Sequence, residues 1–177
     1  MGFTWIGIAY WACFRPDDRV TVHLAATQTG ICRLGIGMAD RDFKEELRLQ
    51  QPSHDWHDDG QWPLLREAAT QVCAYFRREL QTFDLPLDLQ GTEFQRKVWE
   101  ALQLIPYGRT RTYADIALAI GAPKATRAVG GANHVNPVPI IVPCHRVVAA
   151  NGKLGGFACG LDYKRLLLDV EQMAATI

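Results

Sequence analysis

Apolar and aromatic positions near the start of the 177-residue chain fall in short β-branched runs, whereas from residue 64 onward many recur at helical spacing. Residues 3–12 and 20–25 predict paired strands about the turn composition Arg15-Pro16-Asp17-Asp18. Residues 31–38 predict a third strand, interrupted by Gly35 and Gly37. The mixed charges of 40–49 predict a short solvent-facing helix. Residues 51–63 hold Pro52, His54, Asp55, His57, Asp58 and Asp59 and predict a solvated loop, because no periodic element fixes those side chains as metal ligands. Leu65, Ala68, Ala69, Val72, Tyr75 and Phe76 predict an amphipathic helix over 64–80. Residues 83–89 alternate like a strand, but Pro86 confines them to an edge or an extended linker. A boundary between a domain of residues 1–85 and one of residues 86–177 is placed here.

In the second half, Thr92-Glu93-Phe94-Gln95 reads as a capping box opening a helix with Phe94, Val98, Ala101, Leu102 and Ile105 on its apolar face, stopped at Pro106-Tyr107-Gly108. Thr112-Tyr113-Ala114-Asp115 offers a second cap, for a helix running to Ile120 and ending at Gly121. Pro123 is expected to start the next helix, through about Asn133. Two short helices joined in this way predict a helix-turn-helix. The apolar run 140–142 predicts a buried strand ended by Pro143. Ala150-Asn151-Gly152-Lys153 predicts a turn and 154–160 a glycine-rich loop. A final helix over about 162–174 carries Leu166, Leu167, Val170 and Met173 on one face.

A chain of this length with 48% apolar residues can bury a sizeable core. No apolar run is long enough to span a bilayer, and the N-terminal stretch lacks the basic region and cleavage site of a secretory signal, so a soluble, cytoplasmic protein with no membrane partner is expected. Cys13, Cys32, Cys73, Cys144 and Cys159 are odd in number and scattered, which argues against a disulfide framework. Cys13, Cys32 and His23 can supply zinc ligands, but their spacing matches no common finger, and neither a metal nor a cofactor is expected. Net charge is zero, yet residues 1–85 hold 9 Lys and Arg against 12 Asp and Glu, net −3, while 86–177 hold 10 against 7, net +3. Phosphate contacts therefore belong in the second half.

That half also holds the candidate chemistry. Pro143-Cys144-His145-Arg146 delivers a thiol at the end of an apolar element, beside groups able to lower its pKa. The alternative is that Cys144 is a small buried hydrophobe. Neighbouring side chains diverge, so a water between Cys144 and His145 is more plausible than a direct hydrogen bond. The second helix of the hairpin is slim, through Ala125, Ala128, Gly130, Gly131 and Ala132, and offers few side chains to read base edges.

The block Pro143 to Val147, preceded by Asn136-Pro137-Val138-Pro139-Ile140 and followed by Leu166-Leu167-Leu168-Asp169-Val170-Glu171, resembles the O6-alkylguanine-DNA alkyltransferase family, and the likeness runs from about Thr92 to Glu171. It implies a ribonuclease-H-like α/β domain followed by a mostly helical domain with the helix-turn-helix. It implies that Cys144 accepts the alkyl group, with His145 and Glu171 as its proton relay, Asn136 as its orienter and Tyr113 near the extruded guanine. It implies that Arg127 enters the duplex in place of the flipped nucleotide, with Thr126, Ala128, Gly130 and Gly131 along the minor groove. Val147, Phe157, Ala158 and Cys159 are implied to wall the base pocket, with Phe157 where many relatives have tyrosine and Cys159 where glycine is frequent.

Each of these residues also has a plainer reading. Arg127 can be a phosphate contact or a surface charge, Tyr113 a core aromatic, Asn136 a turn residue and Glu171 a solvent-facing acid. The function expected is single-turnover, self-inactivating repair of O6-alkylguanine in double-stranded DNA, with O4-alkylthymine a further candidate, by a monomer binding without sequence preference. The rivals are a lesion-binding module without chemistry, which Cys144 argues against, and a cysteine hydrolase, for which no oxyanion-hole signature exists.

Overall fold

Period-two alternation buries Ala9 and Trp11 on one face of the first strand, β1 (Gly7–Asp17). In the computed structural model, which describes residues 7–150 and 152–172, β1 pairs antiparallel with β2 (Val20–Ala26) and β2 antiparallel with β3 (Ile31–Ile36). The fourth strand, β4 (His54–Asp58), lies parallel to β1, giving the order β3-β2-β1-β4. Residues 3–6 of the predicted first strand lie outside the described residues. Phe43 and Leu47 of helix α1 (Asp40–Gln50) form a core with Trp11, Ala25 and Cys32, to which Met38 and Trp56 add partial burial. Helix α2 (Pro63–Phe76) packs on β1, β2 and β3 and buries Leu65, Ala68, Val72, Tyr75 and Phe76.

Three local expectations are corrected in this unit. The turn expected at residues 15–18 shrinks to 18–19, because Pro16 is absorbed in β1 where the register shifts between Phe14 and Asp17, a bulge that needs no amide donor. Residues 54–58, expected in a loop, form β4; an edge strand needs one hydrogen-bonded neighbour, and its polar Asp55, His57 and Asp58 face solvent. Helix α2 stops at Phe76, not near Leu80, with Arg78 turning left-handed at φ 64°. The 83–89 stretch does stay extended. Pro86 O accepts from the Ile31 amide at 2.8 Å and Leu87 bridges Ile31, while a Cβ on Gly30 would stand 2.6 Å from Pro86 O. These contacts keep 86–89 with the sheet, and the chain divides into units of residues 1–89 and 90–177.

The second unit is mostly helical, so the whole is a mixed α/β protein. Both cap signatures form. Thr92 Oγ1 accepts from the Gln95 amide at 3.2 Å and Gln95 accepts from the Thr92 amide at 2.8 Å, opening α3 (Glu93–Gln103). Thr112 and Asp115 repeat the pattern at 3.1 and 2.8 Å, opening α4 (Tyr113–Ala119). The buried face of α3 turns from the predicted stripe toward Trp99, whose indole donates to Ala132 O at 2.9 Å; Phe94 and Ala101 are only partly covered. Helix α5 (Thr126–His134) starts three residues after Pro123, because residues 122–125 close a hydrogen-bonded turn of their own. A parallel pair, β5 (Arg111–Thr112) with β6 (Val147–Val148), and helix α6 (Leu161–Gln172) complete the unit. Asn151, Met173 and Ala174 of the predicted elements lie outside the described residues. No helix among the described residues is long and apolar enough to cross a membrane.

The apolar run 140–142 is not a strand. Val142 N donates to Val138 O at 2.9 Å and Ile140 adopts φ 74°, making a compact turn in which Val138, Ile140 and Val142 are fully buried. Pro137, Pro139 and Pro143 remove amide donors that a sheet ladder would need. Asn136 replaces the ladder with its side chain, donating to Val142 O at 2.8 Å and accepting from the Val138 amide at 3.1 Å. The β-branched composition reported burial, and a proline-spaced turn satisfies burial as well as a strand does.

Candidate active site

Pro143 feeds a single 3₁₀ turn, Cys144–Arg146, which leads into β6. The turn is held from two sides. Asn136 braces the approach through Val142, and Asn133 of α5 donates to Cys144 O at 3.4 Å. A β-branched residue in left-handed backbone, Ile140, stands four residues before the thiol; such strain costs roughly 1–2 kcal/mol and persists only where surrounding packing fixes it.

Cys144 is 3% exposed. Burial pushes its thiol up to about 12; a hydrogen bond from Asn136 and the charge of Lys164 pull the other way, and the charge of Cys159 adds to the rise. The expectation that neighbouring groups lower this pKa is thus corrected: the resting form is the protonated thiol. The cations nearby are engaged elsewhere. Arg146 is committed to Glu171, and burial lowers the pKa of His145, leaving it neutral at pH 7.

Glu171 on α6 meets both of them. His145 Nε2 lies 2.6 Å from Glu171 Oε1, with the two side chains 0% and 1% exposed, and Arg146 donates to both carboxylate oxygens at 3.1 Å. Gly108 N adds a hydrogen bond at 3.0 Å, and Arg146 also reaches Ile105 O at 2.6 Å. Burial works to raise the Glu171 pKa, but the hydrogen bonds and charges of His145 and Arg146 outweigh it and hold the carboxyl at about 2. An ionised Glu171 fixes the shared proton on His145 Nε2. The other ring nitrogen, Nδ1, then carries the lone pair that can accept a proton.

Tyr113 opens α4, and its hydroxyl donates to Gly156 O at 3.3 Å. Its pKa is raised, first by burial and then by Cys144, so it keeps its phenolic proton. Gly155, at φ 67°, faces this ring so closely that a Cβ would lie 3.1 Å from it. Lys164 on α6 is fully buried and donates to Val147 O at 2.6 Å and Gly156 O at 3.4 Å; burial lowers its pKa to about 8. Cys144, Tyr113, Lys164 and the 154–160 loop therefore converge. Within that loop Cys159 is close enough to act on Cys144, Phe157 is half-buried and Ala158 is exposed, while Val147 is buried on β6.

Thr126, Arg127, Ala128 and Gly131 form an exposed face of α5. A Cβ on Gly131 would touch nothing within 4 Å, whereas one on Gly130 would reach the Tyr113 ring at 4.0 Å. Sequence reasoning placed Arg146 beside Cys144 but not on Glu171, and it missed Lys164 and Asn133. Each acts through a backbone carbonyl or a partner distant in sequence, which leaves no local signature.

The family model described as 6-O-methylguanine DNA methyltransferase, DNA binding domain, matches residues 93–173. A methylated-DNA–protein-cysteine methyltransferase of Methanosarcina barkeri is 51% identical over 137 residues, 77% of this chain and 85% of the relative. A constitutive methylated-DNA–protein-cysteine methyltransferase of Bacillus subtilis is 46% identical over 153 residues, covering 85% and 88%. The crystal structure of Mycobacterium tuberculosis OGT in complex with DNA superposes with a TM-score of 0.77 at 41% identity over 93% of each chain. With this likeness across both units and the buried Cys144–His145–Glu171 constellation inside the matched region, the chain belongs to the methylated-DNA–protein-cysteine methyltransferase family.

Proposed function

We propose that this protein repairs O6-alkylguanine in double-stranded DNA by moving the alkyl group onto Cys144 in one irreversible turnover. The observation that carries the reading is the buried network in which Glu171, ionised and paired with Arg146, holds His145 as a neutral base next to the Cys144 turn. With the thiol pushed up to about 12, a base is required. The thiol proton passes through a water to His145 Nδ1, and Glu171 stabilises the imidazolium that forms. Sγ then attacks the alkyl carbon, the S–C bond forms as the O6–C bond breaks, and Tyr113 donates a proton to the departing guanine. The thioether has no hydrolytic exit, so the protein is spent.

On the DNA side, α4 and α5 act as a helix-turn-helix whose exposed α5 face follows the minor groove, with Arg127 filling the gap left by the flipped nucleotide. Small Ala128 and Gly131 on that face support close, sequence-tolerant contact, and the net positive second half supplies phosphate affinity. Val147, Phe157, Ala158 and Cys159 line the base pocket. The order β3-β2-β1-β4, with β4 parallel and its neighbours antiparallel, supports a ribonuclease-H-like reading of the first unit as a scaffold. The protein acts as a monomer in the cytoplasm, where Cys144 stays reduced.

The test is incubation with duplex DNA bearing O6-methylguanine, followed by intact mass of the protein and peptide mapping. One added methyl per chain, on Cys144, is expected. Product exceeding protein, or DNA bound without any mass gain, would overturn the reading in favour of a hydrolase or a lesion-binding module.

A further inference from the structure

Asn133 faces both ends of the displacement. Its side chain, 5% exposed, sits one helical turn beyond Gly130 on α5, the glycine whose Cβ would reach the Tyr113 ring at 4.0 Å. Asn133 Nδ2 donates to Cys144 O at 3.4 Å. Turning the amide over would set its oxygen against that carbonyl oxygen, so the nitrogen belongs on this side. The same side chain is a hydrogen-bonding neighbour of Tyr113, whose pKa is raised by burial and by Cys144 and pulled back down by Asn133. A neighbour that lowers a phenol pKa donates to its oxygen. Asn133 Oδ1 is buried with no hydrogen-bond partner among the described residues, which leaves Nδ2 as the working end: one N–H for Cys144 O, the other for Tyr113 Oη. Tyr113 spends its own proton on Gly156 O, at 3.3 Å.

We propose that Asn133 is a positioning residue that stabilises the Tyr113 phenolate formed as guanine leaves, an inference that rests on the alkyl transfer proposed above. As the S–C bond forms, the electron pair of the breaking O6–C bond passes to guanine, which takes the phenolic proton at a ring nitrogen. Tyr113 is then a phenolate in a half-buried site, and the thiol proton rests on His145. Gly156 O can only repel the new negative charge, so that contact is lost at this moment. An N–H already aimed at Oη needs no reorganisation to meet the charge, which is where a fixed dipole contributes most. Water afterwards carries the His145 proton to Oη, and both groups end neutral. Through its other N–H, Asn133 holds the backbone of the nucleophile. One amide therefore sets the attacking thiol and the proton donor in a single frame.

The experiment compares two methyl donors on the full-length protein: saturating duplex DNA bearing O6-methylguanine, whose leaving group needs a proton, and iodomethane, whose iodide needs none. Both reactions are followed as methyl on Cys144 by peptide mass. Asn133→Ala should lower the rate from DNA by roughly 10- to 100-fold more than the rate from iodomethane, the worth of one hydrogen bond to a charged group. Asn133→Asp keeps the side-chain shape without the N–H donors, and its selective loss on DNA should be at least as large. In a Tyr113→Phe background, the extra loss of Asn133→Ala on DNA should vanish. Equal losses with both donors, or a selective loss that persists without the phenol, would overturn the inference and leave Asn133 a brace of the Cys144 turn. A wild-type protein methylated by iodomethane but not by DNA would instead overturn the repair reading itself.

Discussion

His145 Nε2 and Glu171 Oε1 are 2.6 Å apart, both sealed from solvent, although 26 residues separate them in sequence. Because Glu171 is held ionised, the contact fixes which imidazole nitrogen carries the proton and which can receive one. Glu171→Gln removes that preference and the charge that supports imidazolium. Alkylation of Cys144 should slow by about 10²-fold or more, the scale of positioned general-base catalysis. Rates for both proteins are to be measured across pH 5–9. A variant that keeps the wild-type rate and profile would remove Glu171 from the relay.

The same carboxyl sets the acid limb of stability. Its folded pKa of about 2 lies below the ordinary value of 4.5, so its stabilisation is complete above pH 4.5 and lost as pH falls toward 2. Neutral buried His145 acts in the same direction: below about pH 6.5 the unfolded chain takes up a proton that the native one resists. Replacing Glu171 by Gln should flatten the decline between pH 4.5 and 2 by roughly 3 kcal/mol. Denaturant unfolding at a series of pH values checks this, and parallel curves for the two proteins would show that Glu171 is not held ionised.

Why part of this site was legible and part was not follows from where each signal resides. The caps at Thr92 and Thr112 depend on residues three positions away, and both formed as read. The pairing of His145 with Glu171 spans two elements, and only the family likeness pointed to it. Lys164 engages the carbonyl of Val147, which every residue carries, so nothing in the sequence marks it, and Arg146, visible beside Cys144, turns instead to Glu171, 25 residues away. Residues 140–142 were misread because β-branched composition reports burial, whereas Pro137, Pro139 and Asn136 decide the backbone. Strand β4 was missed for the opposite reason: polar side chains on an exposed edge conceal a hydrogen-bonded backbone.

Lys164 and Cys144 have opposed alkaline signatures. A Lys with folded pKa about 8 is neutral in the native state between pH 8 and its unfolded value near 10.4, so it makes stability rise with pH there. Cys144, raised to about 12, makes stability fall from its unfolded value near 8.5 upward. Lys164→Met removes the rise and leaves the fall. Between pH 8.5 and 10.4 the variant should lose about 2 kcal/mol more than wild type. It should also alkylate more slowly, since the thiolate loses a nearby cation. An unchanged alkaline slope would place the ammonium in solvent.

Arg127 is exposed on α5, the helix proposed to follow the minor groove. Arg127→Ala should slow repair of a lesion in duplex DNA much more than reaction with free O6-alkylguanine base, which needs no flipping. Duplex binding should weaken steeply with salt and vary little with sequence, because phosphates supply most contacts. Equal losses on duplex and free base would leave Arg127 without a role in extrusion.

Cys159 lies half-buried in the 154–160 loop, near enough to Cys144 that its charge raises the thiol pKa. Two effects of Cys159→Gly can therefore be separated. An effect on the nucleophile itself speeds every substrate alike. With Cys159 lining the base pocket as proposed, removing its side chain makes room for a benzyl ring, and overfilling a packed site costs about 1–3 kcal/mol. At about 1.36 kcal/mol per tenfold in rate, the benzyl-to-methyl rate ratio should rise roughly 10- to 100-fold in the glycine variant. Second-order inactivation rates with O6-benzylguanine and O6-methylguanine, in both proteins, give that ratio directly. If both rates rise by one common factor, Cys159 acts on the nucleophile and does not shape the pocket.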